Sequence, residues 1–391
     1  MTVRLGERQP GWAEPSRPPP GNAECQSRLG KAEPEGQQLN ASSSESALDH
    51  LVAMTDDTGM IQHATHDVPN RATGYCTDDI ARALIVAVAG SRRPATEAVA
   101  KRLVTTYLAY LHDAQMQDGW FHNFMGYDRT WQDRRGTADS FGRAIWGLGY
   151  CMRYAPRDSW RRIAARLVTV ALPHVHELEH LRSRAYAALG IVHALDAQDA
   201  DRPALRAALA AAVDPIATAF TRHAAADWVW CEPRMTYDNA RLPEALLRAG
   251  HALTEPRLTE LGVRMLTFYA GIVIENGTFV PVGNDGWYPR GGTKARYGQQ
   301  PIEAAGMIDA SLAAYSATAA PGHLRNAETA FAWFLGANTA GVALVSANGG
   351  CADGIDSHGP NPNMGAESTL AYLHSAMAMA SPAAARLQIV R

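Results

Sequence analysis

Six times along the chain a polar, often acidic cluster gives way at once to a small-residue apolar stretch of helical length. The six read CTDDIARALIVAVAG from Cys76, TADSFGRAIWGLGYCM from Thr137, LRSRAYAALGIVHAL from Leu181, TYDNARLPEALLRAG from Thr236, QQPIEAAGMIDASLAAY from Gln299 and NMGAESTLAYLHSAM from Asn363. Amphipathic stretches alternate with them. Residues 95–114 carry Val99, Leu103, Tyr107 and Leu111 at helical spacing, which puts the four on one face. Residues 158–172 follow, with Asp158 as the expected N-cap and Pro173 just past the end. Residues 203–222, 255–271 and 322–335 repeat the pattern, and residues 44–54 precede the first apolar segment. The segments recur about every 45–65 residues, the period of one helical hairpin plus a loop.

Twelve helices that alternate between outer and inner positions predict an all-α, (α/α)6 toroid of six hairpins closed in a ring. β-branched residues are sparse except in IVIENGTFVPV, residues 272–282, which predicts a short β-hairpin turning at Asn276–Gly277. Four connections on one side are long: residues 59–74, 115–136, 276–300 and 346–365. Loops of that length in a compact domain usually serve function. The expected ring therefore has a working face and a structural one. The inner helices start on the working face and carry there Asp78, Asp79, Asp139, Asp238, Glu303 and Glu367.

Composition narrows the picture. A length of 391 residues exceeds the usual single-domain size, and a closed toroid over residues 45–391 accommodates it as one domain. Residues 1–44, rich in Pro, Gly, Ser, Glu and Gln, read as a disordered tail. A net charge of −3 offers no basic face for nucleic acid. Charged residues make up only 19 %, and the abundant Ala and Gly suit closely packed helix pairs. The five cysteines, at 25, 76, 151, 231 and 351, are odd in number and never spaced CxxC. That disfavours a disulfide framework or a zinc site and makes Cys76, Cys151 and Cys231 buried thiols. No signal-like segment and no apolar run near the ~20 residues of a membrane span is evident, so a cytoplasmic protein is expected.

A ring of carboxylates around one cavity points to sugar chemistry, and the flanking residues strengthen that reading. HATHDVPNRATGYCTDDIAR, from His63, brings His66, Tyr75, Asp78 and Asp79 together; Asp78 is expected to cap its helix and Asp79 to face the cavity. DGWFHNFMGYDRTWQDRRGTADSFGRA, from Asp118, is dense in aromatics, whose faces stack on the C–H face of sugar rings. Trp120 is the expected platform, His122 and Asn123 hydrogen-bond hydroxyls, and Asp139 and Arg143 follow at the helix start. WVWCEPRMTYDNARLPEALL, from Trp228, adds Tyr237, Asp238, Asn239 and Arg241, with Pro243 tolerated in the first turn. The loop from Gly283 contributes Asp285 and Trp287 and leads to Glu303, whose small apolar neighbours favour a raised pKa. Glu367 stands at the last helix mouth, while the third segment offers Arg182 and Arg184 in place of an acid. His63 and His66 lack a third ligand at a telling spacing, and the segment around Asp353 and Asp356 lacks calcium-loop regularity, so no metal and no cofactor are expected. Walker, GxGxxG and GxSxG motifs are missing, which disfavours nucleotide and serine-hydrolase chemistry.

HATHDVPNRATGYCTDDIARAL, FHNFMGYDRTW, ADSFGRAIWGLG, TYDNARLPEALL and GAESTLAYL together resemble a bacterial family in the six-hairpin glycosidase class. Members occur beside, or fused to, glycosyltransferases. The resemblance covers most of residues 44–380 and implies an (α/α)6 fold, a carbohydrate ligand and a possible functional link to a glycosyltransferase. The leading expectation is a glycoside hydrolase on a glucose- or mannose-type oligosaccharide, inverting as toroid glycosidases commonly are. Asp139 is the expected acid and Glu303 the base, with Asp79 and Asp238 able to take either role. Three alternatives stand beside it: a sugar epimerase or isomerase using His66, His122 or His358, a phosphorylase, and a non-catalytic glycan-binding partner of a glycosyltransferase.

Overall fold

The computed structural model describes residues 46–197 and 201–380, which belong to one compact unit; the expected tail, 1–44, lies outside the described residues. Six inner helices, α2 (Thr77–Gly90), α4 (Ala138–Tyr154), α6 (Leu181–Leu195), α8 (Arg241–Leu253), α10 (Pro301–Thr318) and α12 (Ala366–Met379), alternate with six outer ones. The outer set is α1 (Asp49–Ala53), α3 (Glu97–Ala114), α5 (Asp158–Ala171), α7 (Arg202–His223), α9 (Pro256–Val273) and α11 (Pro321–Phe334). Each inner helix packs on the next, and α12 returns to pack on α2, so the (α/α)6 ring closes. The first outer helix is a stub of five residues.

Burial explains the two classes of helix. In α10 every residue from Pro301 to Ser311 is buried, because neighbours flank it on both sides and an outer helix covers its back. In α5 only Trp160, Ala164, Leu167, Val168 and Ala171 are buried, the single stripe of an outer helix. By length and composition α7 does reach the threshold for a membrane span, contrary to the expectation from the sequence. It is an outer helix of the ring, burying Leu205, Leu209, Val213, Ile216 and Phe220 and packing on α6 and α8. Asp158 is not a cap: Arg157 holds that position, and the Asp158 carboxylate bonds Arg161 at 3.2 Å and Arg162 at 2.5 Å, guanidinium partners one turn along.

The working face forms as expected. The long loops all lead into inner helices, and two-residue strands belt them together: Tyr75–Cys76 pairs with Phe124–Met125, and Arg234–Met235 with Tyr288–Pro289. Ile274–Glu275 pairs with Thr278–Phe279 across Asn276 (φ 50°) and Gly277 (φ 79°), the left-handed pair that a two-residue hairpin turn requires.

The tightest seam is α4 on α6. A Cβ at Gly149 would lie 2.0 Å from the Gly190 carbonyl oxygen, and one at Gly190 would lie 2.2 Å from that of Ile145. Both obstacles are backbone, so neither can yield without moving a helix. Gly190→Ala should cost roughly 1–3 kcal/mol or more of stability, as overpacking does. Gly271→Ala, on an open surface of α9 with nothing within 4 Å, should be neutral or slightly stabilising. Urea unfolding of the two variants checks the contrast; equal midpoints would count against the close crossing.

Candidate active site

Acids at the start of inner helices sit where the helix dipoles favour negative charge. Crowded together they also repel, and arginines from the same helices intervene. On α2, Arg82 donates to Asp79 at 2.6 Å and lies 2.9 Å from Glu367 of α12, bridging the closing seam. On α4, Arg143 donates to Asp78 at 2.8 Å and to the Tyr186 hydroxyl at 2.8 Å, and lies 4.0 Å from Asp139. Tyr186, on α6, passes its own O–H to Asp238 at 2.7 Å. On α8, Arg241 donates to Glu244 and Asp309, each at 2.6 Å, and His374 of α12 shares Asp309 at 2.6 Å.

The acids differ sharply in how they stand to water. The Glu367 side chain is 40 % exposed and that of Asp139 19 %. Asp139 accepts from both sides, the Ser183 O–H at 2.5 Å and the Tyr237 O–H at 2.5 Å. Burial pushes the Asp78 carboxyl up, but Arg143 and Arg82 outweigh it and hold the group below the ordinary carboxylate range. Burial raises Asp79, offset only in part by Arg82. Asp238 is likewise raised by burial, with Arg241 and Arg143 opposing. Glu303, 1 % exposed, is pushed up to about 7 by burial and then by the charge of Asp238, while bonds from Tyr269 and Asn239 pull the other way.

Several expectations change. Asp78 does not cap α2: Cys76 occupies the cap position without a side-chain bond, and Asp78 turns to Arg143. Asp79, Asp238 and Glu303 are buried, not presented to the mouth. Asn239 and Arg241 are buried with them: Asn239 bonds Arg182 and Glu303, and Arg241 is the hub of the Glu244–Asp309 cluster. Trp120 is no sugar platform, for it packs in the core on Phe141 with the Arg135 guanidinium 3.6 Å from its ring centroid. Tyr75 is buried and donates its O–H to Asp56 at 2.7 Å. Asn123 is buried, accepting the Cys76 thiol at 3.3 Å.

The remaining expected residues lie nearer the surface. His122 stacks on Trp131, with ring centroids 4.9 Å apart, and Asp133 holds its Nδ1 at 3.0 Å. His66 is exposed at a left-handed turn, φ 55°, that adjoins the start of α12 through its carbonyl and Met364. Asp285 is exposed and Trp287 half-buried on the loop before α10; no bond among the described residues joins either side chain to the carboxylate ring. His358 is exposed beside Ser357. The structure thus brings Asp78, Asp139, Arg143, Tyr237 and Glu367 together at the mouth.

Arg82, Ser183, Tyr186, Asp309 and His374 escaped the sequence reading. Arg82 had a signal, standing three and four residues after the Asp pair, and so did His374, seven after Glu367 and thus on the same helical face. Beneath the mouth, Arg82, Arg143, Trp146, Asp238, Arg241 and His374 line a cavity of about 20 Å³. That is room for about one water.

No known family model matches the chain, and none of the curated proteins does. Solved structures match in fold. Cellobiose 2-epimerase from Bacillus thermoamylovorans is similar at a TM-score of 0.65 and 11 % identity, over 87 % of this chain and 98 % of that one. The GH76 α-mannanase of Bacteroides thetaiotaomicron gives 0.58 and 13 %, over 89 % and 97 %. The cellulase Cel9M of C. cellulolyticum, in complex with cellobiose, gives 0.62 and 8 %, over 91 % and 100 %. The shared architecture is the (α/α)6 toroid.

The Arg241 cluster sets a stability prediction. Arg241→Met leaves Glu244 and Asp309 buried without their shared partner and should cost about 3–5 kcal/mol in urea unfolding. Burial pushes Asp309 up, but His374 and Arg241 outweigh it and hold it low. Its contribution is therefore complete above the ordinary Asp value of about 4 and is lost as pH falls toward the lower folded value. The variant should show less of that acid loss; an unchanged midpoint and pH slope would contradict the hub role.

Proposed function

We propose that this protein is a glycoside hydrolase acting on a glucose- or mannose-type oligosaccharide at the mouth of the toroid. One observation carries the reading: the two best-exposed carboxylates of the ring, Asp139 on α4 and Glu367 on α12, both lie in the field of one guanidinium, Arg143. Asp139 accepts two hydroxyl bonds and stands 4.0 Å from the Arg143 guanidinium, and we assign it the role of taking a proton from the attacking water. This reverses the acid role expected for it. Glu367 meets Arg82 through Oε2 at 2.9 Å, and we assign it the acid, with its proton carried on Oε1 and passed from there to the leaving oxygen. Glu303 is withdrawn as the base because it is buried and fully engaged by donors. The balance is that of hydrolysis: water oxygen bonds the anomeric carbon, the glycosidic bond breaks, Asp139 gains a proton and Glu367 gives one. Support for the sugar class comes from the fold relatives, which include a cellobiose epimerase, an α-mannanase and a cellulase. Action in the cytoplasm alongside a glycosyltransferase belongs to the same proposal and rests on the resemblance of the sequence motifs.

The runner-up is a sugar epimerase or isomerase. It is favoured by His374, which lines the inner cavity against Asp309, and by the epimerases among the fold relatives. His66, His122 and His358 do not supply its base, being exposed or bonded away from the ring.

Kinetics on oligosaccharides and on activated aryl glycosides separate the roles. Asp139→Asn should lose about 10²-fold or more on both. Glu367→Gln should lose as much on oligosaccharides but keep most activity on aryl glycosides, whose leaving group needs little protonation. Full activity of either variant on oligosaccharides would remove that residue from the chemistry. A product of unchanged mass that takes up deuterium from D2O would move the assignment to the epimerase.

A further inference from the structure

Two buried charged groups, Glu303 and Arg182, grip one three-residue turn from opposite sides and share Asn239 as a partner. Tyr237, Asp238 and Asn239 form the turn into α8, with Asp238 in the left-handed region at φ 44°. From α10, Glu303 accepts the Asp238 N–H, the Asn239 N–H at 3.4 Å and the Asn239 side-chain amide at 3.2 Å. Tyr269 of α9 adds its O–H at 2.8 Å. From the other side Arg182 of α6 donates to the Tyr237 carbonyl, to Asn239 Oδ1 at 3.1 Å and to Glu232 at 2.8 Å. Its guanidinium stands 4.8 Å from the Tyr237 ring centroid. The turn is clamped at both ends by opposite charges, and its outer tip is the Tyr237 hydroxyl, 2.5 Å from Asp139.

We infer that Glu303 and Arg182 are positioning residues that fix the Tyr237–Asp238–Asn239 turn so that Tyr237 aims its hydroxyl at Asp139. The inference rests on the hydrolase reading for its consequence in turnover and on geometry alone for the clamp. The left-handed Asp238 explains why a clamp is needed. A non-glycine residue in that region costs free energy, and the surrounding bonds must outweigh the cost. Four donors and no acceptor face Glu303, an arrangement only a carboxylate satisfies in full. The charged or titratable groups around it are Asp238 at the turn, Arg182 on α6 and Tyr269 on α9. Since burial and Asp238 bring Glu303 up to about 7, it takes a proton as pH falls through neutrality, loses acceptor capacity and loosens the turn. The rate should fall with it, and that limb of the pH profile belongs to a residue that never touches the sugar.

The test joins hydrogen exchange to kinetics. In Glu303→Gln the amides of Asp238 and Asn239 should exchange roughly tenfold faster or more, with a smaller rise in Tyr269→Phe, which removes one hydroxyl and keeps the ring. On an aryl glycoside Glu303→Gln should lower kcat roughly tenfold, leave KM within about twofold and abolish the fall of rate near neutral pH. Combined with Tyr237→Phe it should add little further loss, because both changes break one chain of contacts. Unchanged amide protection, or losses that multiply in the double variant, would overturn the inference. Should Glu303→Gln not fold, Tyr269→Phe and Arg182→Lys carry the same comparison. A wild-type protein that hydrolyses no glycoside would sink the hydrolase reading, and the exchange rates would still decide the clamp.

Discussion

Placing carboxylates at the convergent ends of five of the six inner helices is possible only if positive charge is supplied at the same depth. Helix dipoles contribute some of it, but a dipole weakens within a turn and cannot offset a like charge held close in a medium of low polarity. The inner helices answer with Arg82, Arg143, Arg182 and Arg241, each in the first two turns of its own helix. Nearly every other property of the centre follows from this pairing. It decides which acids are ionised, which are sealed, and which are left with a free oxygen.

The pairing also fills the ring. Guanidinium planes stack on Tyr186, Tyr237 and Trp146, so aromatic rings and charge share the inner wall. What remains inside is a water-sized space. The rim acids Glu367 and Asp139 keep the most solvent, though Ser183 and Tyr237 fix Asp139 from two sides.

The architecture was legible in the sequence because ring closure imposes a repeat. Each inner segment had to be short-chained and apolar, each outer one amphipathic, and the six starts fell within a few residues of the observed helices. The acids were legible too, since they stand at those starts. Their roles were not. Trp120 and Tyr75 look like sugar platforms in a list of aromatics, and only packing shows that Phe141 and Asp56 occupy them. Glu303 read as the catalytic partner of Asp139, with Asp238 in reserve, because sequence order says nothing of depth: Glu303 and Asp238 are buried, while Asp139 keeps contact with water. Ser183, an ordinary serine in a small-residue helix, acquires meaning only from its 2.5 Å contact with Asp139 across the α4–α6 crossing.

The bond between Arg82 and Glu367 joins the first inner helix to the last, so it spans most of the chain. A ribosome-bound chain that has made five hairpins holds Arg82, Asp79 and Asp139 but no Glu367, and its ring stands open at one seam. Local hairpin contacts can form early, whereas this contact waits for the last inner helix and closes a loop that takes in most of the ring. Closure of the ring therefore arrives in one step with its last inner helix, and the ion pair that seals the seam records that every hairpin is in place.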